Sequence, residues 1–357
     1  MRLRPLARGA MTARAAATGA RVASILAGSW RESVERWTGT ADEAHSVTPL
    51  LLHGGVAALA WRRLRGSDAA RGVAAAELQQ AYRLQALRAV LHEKAVSRSF
   101  TLLHARGVEP ILGKGWAAAR LYPEPGLRPY GDVDLYVRAD AHAAARAVAL
   151  SPDAGPIDLH AGLAELDDRA FDDVAARAEQ AMADGCAVRL FAPEDHLRLL
   201  ALHALRHGVL RPLWLCDIAA LVEGRPAAFD WDRFRRGDAR RTRWAAAAIG
   251  LAHALLGARL DGVPHDARLD PLPAWMVPAV LAEWGALRPA QGARRPMSDV
   301  VRHPRQLVRA LRTRWPNPIE ATVGVGGSFG SCPRLPYQVA ECARRSARFI
   351  TPRGAQP

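Results

Sequence analysis

Between residues 41 and 106 the apolar positions recur at helical spacing. Leu78, Tyr82, Leu84, Leu87, Val90 and Leu91 build one face, which Arg98 to Leu103 extends. Gly107 stops this pattern, and short apolar runs take over. Val108-Glu-Pro-Ile-Leu112, Val133 to Val137 and Ile157-Asp-Leu-His-Ala161 each read as a strand, with Trp116–Tyr122 and Ala139–Leu150 as short helices between them. The run Pro123-Glu-Pro-Gly-Leu-Arg-Pro129 is loop, because three prolines and a glycine exclude regular structure. From Pro193 to about residue 285 the pattern is helical again, and Glu194 and Asp195 follow the proline in a first turn, where acids suit the helix dipole. Beyond residue 286 the chain is punctuated by Pro and Gly, with one helical piece over 299–314 and a loop at Gly324-Val-Gly-Gly-Ser328. No repeat at solenoid periods is visible.

Composition narrows the class. The chain has 357 residues, 50% of them apolar and 24% charged, which suits about two globular units and excludes wholesale disorder. Charged or polar residues interrupt every apolar stretch before about 18 residues, so no membrane span is expected. Cys186, Cys216, Cys332 and Cys342 lie far apart with no CxxC pair, which supports neither a disulfide framework nor a zinc ribbon and makes a reducing cytoplasm the default.

The net charge of +14 is unevenly spread. Residues 1–40 carry seven Arg against two Glu, and residues 286–357 carry thirteen Arg against three acids, so the middle is near neutral. Only Lys94 and Lys114 are lysines. So strong an Arg and Ala bias reflects base composition more than nucleic-acid binding. Residues 1–40 read as a basic, poorly ordered leader, with a start at Met11 or a transit peptide as alternatives.

The richest local chemistry is Arg128-Pro-Tyr-Gly-Asp-Val-Asp-Leu-Tyr-Val137. Strand alternation projects Asp132 and Asp134 on one face while Val133 and Leu135 enter the core. A divalent cation resolves two such carboxylates at a buried strand end, and oxygen ligation favours Mg2+ or Mn2+. Asp158, on the next strand, would add a third carboxylate and complete a two-metal site. Gly113-Lys-Gly115 opens a helix, whose N–H groups suit an anion, and Lys114 adds a point charge. The plain alternatives are solvated acids at a strand end and an ordinary strand-to-helix turn.

In this order the motifs resemble the uncharacterised nucleotidyltransferase family of the polymerase-β-like superfamily. The resemblance runs through Ile111-Leu-Gly-Lys-Gly-Trp116 to Val137, Ile157-Asp-Leu-His160, Glu194-Asp-His196 to His207, Trp214-Leu-Cys-Asp217, Arg314-Trp-Pro-Asn-Pro-Ile-Glu-Ala-Thr322 and Pro333-Arg-Leu-Pro-Tyr-Gln338, covering about residues 80–345. It implies that Asp132 and Asp134 are the metal-binding acid pair, that Asp158 is the third carboxylate, and that Gly113, Lys114 and Gly115 face the triphosphate. No Ser or Thr follows the glycine here, so a hydroxyl contact to phosphate is missing; either Lys114 substitutes for it or nucleotide affinity is reduced. The segment between Asp134 and Asp158 leaves room for a helix but hardly another strand.

Three other features have competing readings. His203 and His207 stand at i, i+4 and could hold zinc with Asp217 or His160, or simply pack, with His207 against Asp217. Trp214, Trp244, Trp275 and Trp284 read as core or helix contacts. Arg302, Arg305, Arg309 and Arg312 form a stripe opposite Val300, Leu307, Val308 and Leu311, either solvated or facing phosphate, an acidic partner or a membrane surface.

The expected architecture is α+β: a small mixed-sheet nucleotidyltransferase core over 95–192, a helical region over 41–94, and a larger helical C-terminal domain with a basic tail over 193–350. The expected reaction is metal-dependent transfer of a nucleoside monophosphate from a nucleoside triphosphate, ATP among the candidates and the base left open, to an acceptor hydroxyl with release of pyrophosphate. Asp132, Asp134 and Asp158 would hold Mg2+ or Mn2+, and Gly113, Lys114, Gly115 and Arg128 would hold the phosphates. The acceptor is open between a small molecule, a protein side chain and an RNA end, with the near-neutral middle disfavouring a long nucleic acid. The alternatives are a degenerate transferase domain that binds a nucleotide or partner without turnover, and a zinc hydrolase.

Overall fold

The computed structural model describes residues 5–166, 169–287 and 314–350. The chain opens with helix α1 (Pro5–Leu26), followed by α2 (Ala41–His53), α3 (Ala57–Leu64) and the long α4 (Val73–His104). Thr40 and Glu43 form a capping box that starts α2. Of the leader expected over 1–40, residues 5–26 form α1. Val22, Ile25, Leu26 and Trp30 are buried in the main core, and α1 crosses the later helix α12 (Met276–Trp284) at backbone distance. Glycine makes the crossing possible: a Cβ on Gly19 would come 1.9 Å from the Leu281 carbonyl oxygen, and one on Gly285 would come 1.8 Å from that of Ala15.

Strand β1 (Ile111–Leu112), helix α5 (Gly115–Ala119), strand β2 (Val133–Val137), helix α6 (His142–Ala149) and strand β3 (Ile157–Ala161) follow. After α7 (Phe171–Ala176) comes a hairpin, β4 (Glu179–Ala183) and β5 (Cys186–Leu190). These build a five-stranded mixed sheet in the order β3-β2-β1-β5-β4. β2 and β3 are parallel, joined over α6 alone, and β1 is parallel to β5; the β1–β2 and β4–β5 pairs are antiparallel.

One sheet face, carrying Leu112, Val133, Leu135, Val137, Val188 and Leu190, packs under Val96, Phe100 and Leu103 of α4 and Ala145 and Val148 of α6. The opposite face presents Ile111, Tyr136 and Phe191 to the helical core. That core is built on α8 (Pro193–Arg206), α9 (Pro212–Gly224), α10 (Trp231–Arg235), α11 (Ala239–Leu256) and α12, with α13 (Pro318–Gly324) and α14 (Leu335–Ile350) at the end.

The chain is therefore α+β, as expected, but the boundary expected at 94/95 falls inside α4, which runs unbroken from the helical region onto the sheet. The Leu84–Leu91 stretch of its apolar face is exposed, and the helix buries residues nearer its two ends. The expected strand over 108–112 shortens to two residues. The Arg302–Arg312 stripe lies outside the described residues. No helix among the described residues is long and apolar enough to cross a membrane.

Candidate functional site

The site is written in the register of β2 on β3. Asp134 stands beside Asp158 and Tyr136 beside His160, so all four side chains leave the sheet on one face while their neighbours fill the core beneath. His160 lies flat on Tyr136, with ring centroids 4.4 Å apart and planes 15° from parallel. Its Nε2 is 3.4 Å from both Asp134 Oδ1 and Asp158 Oδ2. One donor atom from each of Asp134, Asp158 and His160 falls within 4.8 Å of the others, and among the described residues this is the one such group of three or more ligating side chains. Asp134 is buried, His160 half-buried and Asp158 exposed on the edge strand.

Lys114 enters this group from the β1–α5 turn. Its Nζ sits 2.7 Å from Asp134 Oδ1, 3.4 Å from His160 Nε2 and over the Tyr136 ring. The backbone there is unusual: Lys114 has φ 47° and ψ −128°, a conformation that favours glycine and costs other residues on the order of 1–3 kcal/mol. Burial acts to raise the pKa of Asp134, but the His160 hydrogen bond and the Lys114 ammonium outweigh it and hold the carboxyl below its usual range.

The other residues expected at the site divide. Gly115 is close: a Cβ there would lie 3.2 Å from the Asp132 carbonyl oxygen and 3.7 Å from Asp134 Oδ2. Asp132 is exposed just before β2 and outside the three-residue group. Gly113, expected to contact phosphate, packs closely against neighbouring side chains. Its N–H is committed to the Asp134 carbonyl at 3.1 Å, and a Cβ would strike Tyr136, Phe191 and Leu199. Arg128, also expected to hold phosphate, reaches α9. Its guanidinium is buried and clamps Asp217, with Nη2 2.9 Å from Oδ2, and Tyr122 donates to the same carboxylate at 2.8 Å.

That clamp also removes Asp217 from the expected contact with His207 and from a zinc site. His203 donates through Nδ1 to Glu165 Oε1 at 3.0 Å, and its ring meets those of His207 and Trp214. Trp244, Trp275 and Trp284 donate their indole N–H groups to the loop carbonyls of Gly327, Gly330 and Val209, and Trp244 and Trp284 are in the main core with Trp275 packed against it, as expected.

Beneath the acids, Tyr136 passes its hydroxyl to Glu165 at 3.1 Å. Burial would raise the Glu165 carboxyl, but His203 and Lys114 bring it down to about 2. Glu165 also lines a cavity of about 550 Å³ whose wall includes Arg206, His207, Arg241, Arg344 and Arg345. One aromatic ring thus separates a charged cavity from the carboxylate–imidazole group. His160 was expected only beside His203; the strand alternation that pairs Asp132 with Asp134 also pairs Asp158 with His160, and that is the signal for it in the sequence.

No curated protein and no solved structure matches the chain. A family description does: the model of an uncharacterised nucleotidyltransferase matches residues 40–153 and 152–257, starting and stopping earlier than the 80–345 expected. Together these segments cover more than half of the sequence and contain the whole sheet, the Asp134–Asp158–His160 group and the Arg128–Asp217 clamp. The chain belongs to the uncharacterised nucleotidyltransferase family.

Proposed function

We propose that the protein is a metal-dependent nucleotidyltransferase, moving a nucleoside monophosphate from a nucleoside triphosphate to an acceptor hydroxyl with release of pyrophosphate. The observation that carries this reading is the side-by-side register of Asp134 and Asp158 on parallel strands, with Lys114 at the mouth of the same group. The donor set fits a divalent cation, because two carboxylates and one imidazole can converge on a common centre. When bound, Mg2+ or Mn2+ would neutralise charge on the triphosphate and favour the ionised form of an attacking hydroxyl.

The chain's own residues would do the positioning. Asp134, held ionised, would be the central ligand, with Asp132 and Asp158 at its flanks. Lys114 and the opening N–H groups of α5, which have no intrahelical partners, would face the β- and γ-phosphates. Asp158, open on the edge strand, would meet an incoming acceptor first, and the Glu165 cavity would seat part of a substrate. Catalysis would rest on orientation and charge neutralisation, with no covalent intermediate on the protein.

Asp134→Asn tests the assignment. Pyrophosphate release from a nucleoside triphosphate and Mg2+ or Mn2+, in the presence of a cell lysate as acceptor source, should fall by roughly 10²–10³-fold or more, while circular dichroism remains that of the wild type. A wild-type rate in this variant removes the reading. The Lys114–Asp134 ion pair favours one second reading, a domain that binds nucleotide without turnover. Calorimetric binding of the triphosphate with no pyrophosphate release by the wild-type chain would select it.

A further inference from the structure

We infer that His160 is a nitrogen ligand of the cation centre and tunes it toward Mn2+ over Mg2+, an inference that rests on the metal-dependent reading above. Three observations converge. His160 Nε2 is equidistant, at 3.4 Å, from one oxygen of Asp134 and one of Asp158. The ring cannot swing freely, because it is stacked at 4.4 Å on Tyr136, whose own hydroxyl is anchored on Glu165. A positive charge already occupies this space: Lys114 Nζ lies within 3.4 Å of the same imidazole nitrogen and 2.7 Å of the same Asp134 oxygen. A group of two acids and an imidazole that gathers an ammonium is arranged around a cation.

The identity of the cation follows from the donors. Mg2+ demands oxygen ligands in near-ideal octahedral geometry and gives up water reluctantly, whereas imidazole suits the later divalent ions. Mn2+ accepts carboxylate and imidazole together. A seat made of Asp134, Asp158 and His160 therefore separates the two ions, while one made of Asp132, Asp134 and Asp158 alone would not do so through nitrogen. The stacked Tyr136 acts through His160: it fixes the plane of the ring and hence the direction of the Nε2 lone pair, in the way outer partners orient metal-binding histidines.

Mn2+ binding to the full chain without nucleotide, followed by the loss of the free-ion electron paramagnetic resonance signal and by competition with Mg2+, tests this. The wild type is expected to bind Mn2+ at least ~10-fold more tightly than Mg2+, and His160→Gln to lower Mn2+ affinity ~10–100-fold with little effect on Mg2+. Unchanged Mn2+ affinity in His160→Gln overturns the inference. Asp134→Asn separates this failure from that of the functional reading. If Asp134→Asn abolishes Mn2+ binding and His160→Gln does not, the carboxylate site stands and His160 is not its ligand. If the wild type binds neither ion, with or without a nucleoside triphosphate, the metal-dependent reading falls with it.

Discussion

Lys114 holds two properties that pull against each other. Its backbone is in a region costly for any side chain, yet its ammonium compensates the buried Asp134. Lys114→Gly separates them. Glycine relieves the strain at φ 47° but leaves the carboxylate without its cation. Because a ligand that binds only the folded state stabilises it in proportion to occupancy, saturating Mn2+ should raise the melting temperature of Lys114→Gly by more than it raises that of the wild type. Equal shifts in the two proteins would show that the ammonium does not compete for the site.

At the scale of elements, the Pro123–Pro129 loop is held to α9 by the Arg128–Asp217–Tyr122 cluster. Asp217 is wholly buried, so Asp217→Ala leaves the Arg128 charge and the Tyr122 hydroxyl without their acceptor. Removing one partner of a buried ion pair costs about 3–5 kcal/mol, and the urea midpoint should fall accordingly. A change under about 1 kcal/mol would mean that the loop is secured elsewhere.

How much of this was legible follows from range. Strand alternation depends on neighbours in sequence, so the faces of Asp134 and Val133 could be read directly, as could the single helix between β2 and β3. The β4–β5 hairpin, absent from the expected elements, also has a local signal: Asp184-Gly185, with φ 44° and 79°, is the left-handed pair that tight hairpins use. The clamp on Asp217 spans 89 residues and depends on tertiary packing, so nothing near Arg128 announced it. Asp195 is similar. It occupies a helix first turn as expected, but its carboxylate is buried against Arg169 and Arg233 from outside that helix.

For the whole molecule, burial of histidine sets an acid limit. His196 is buried, and burial together with the nearby Arg128 charge lowers its pKa to about 4; His207 is lowered to about 4 by burial and by His203. Between pH 6.5 and 4 the unfolded chain therefore binds protons that the folded chain refuses. Stability is complete above the unfolded value and declines as pH drops through this window. Each group contributes about 2 kcal/mol of loss between pH 7 and 5. His196→Leu should flatten the pH dependence of the urea midpoint by that amount, with the His207 share remaining. An unchanged slope would place the acid sensitivity in other groups.

The continuity of α4 carries this cooperativity through the chain. Leu78 belongs to the helical core, while Val96, Phe100 and Leu103 roof one face of the sheet, and a helix of 32 residues extends about 48 Å between such duties. Two cores sharing one rod cannot melt in separate stages without breaking it, so heat or denaturant should meet a single all-or-none transition. By the same logic a shortened chain beginning at residue 95 would inherit the sheet with about two-thirds of its rafter missing.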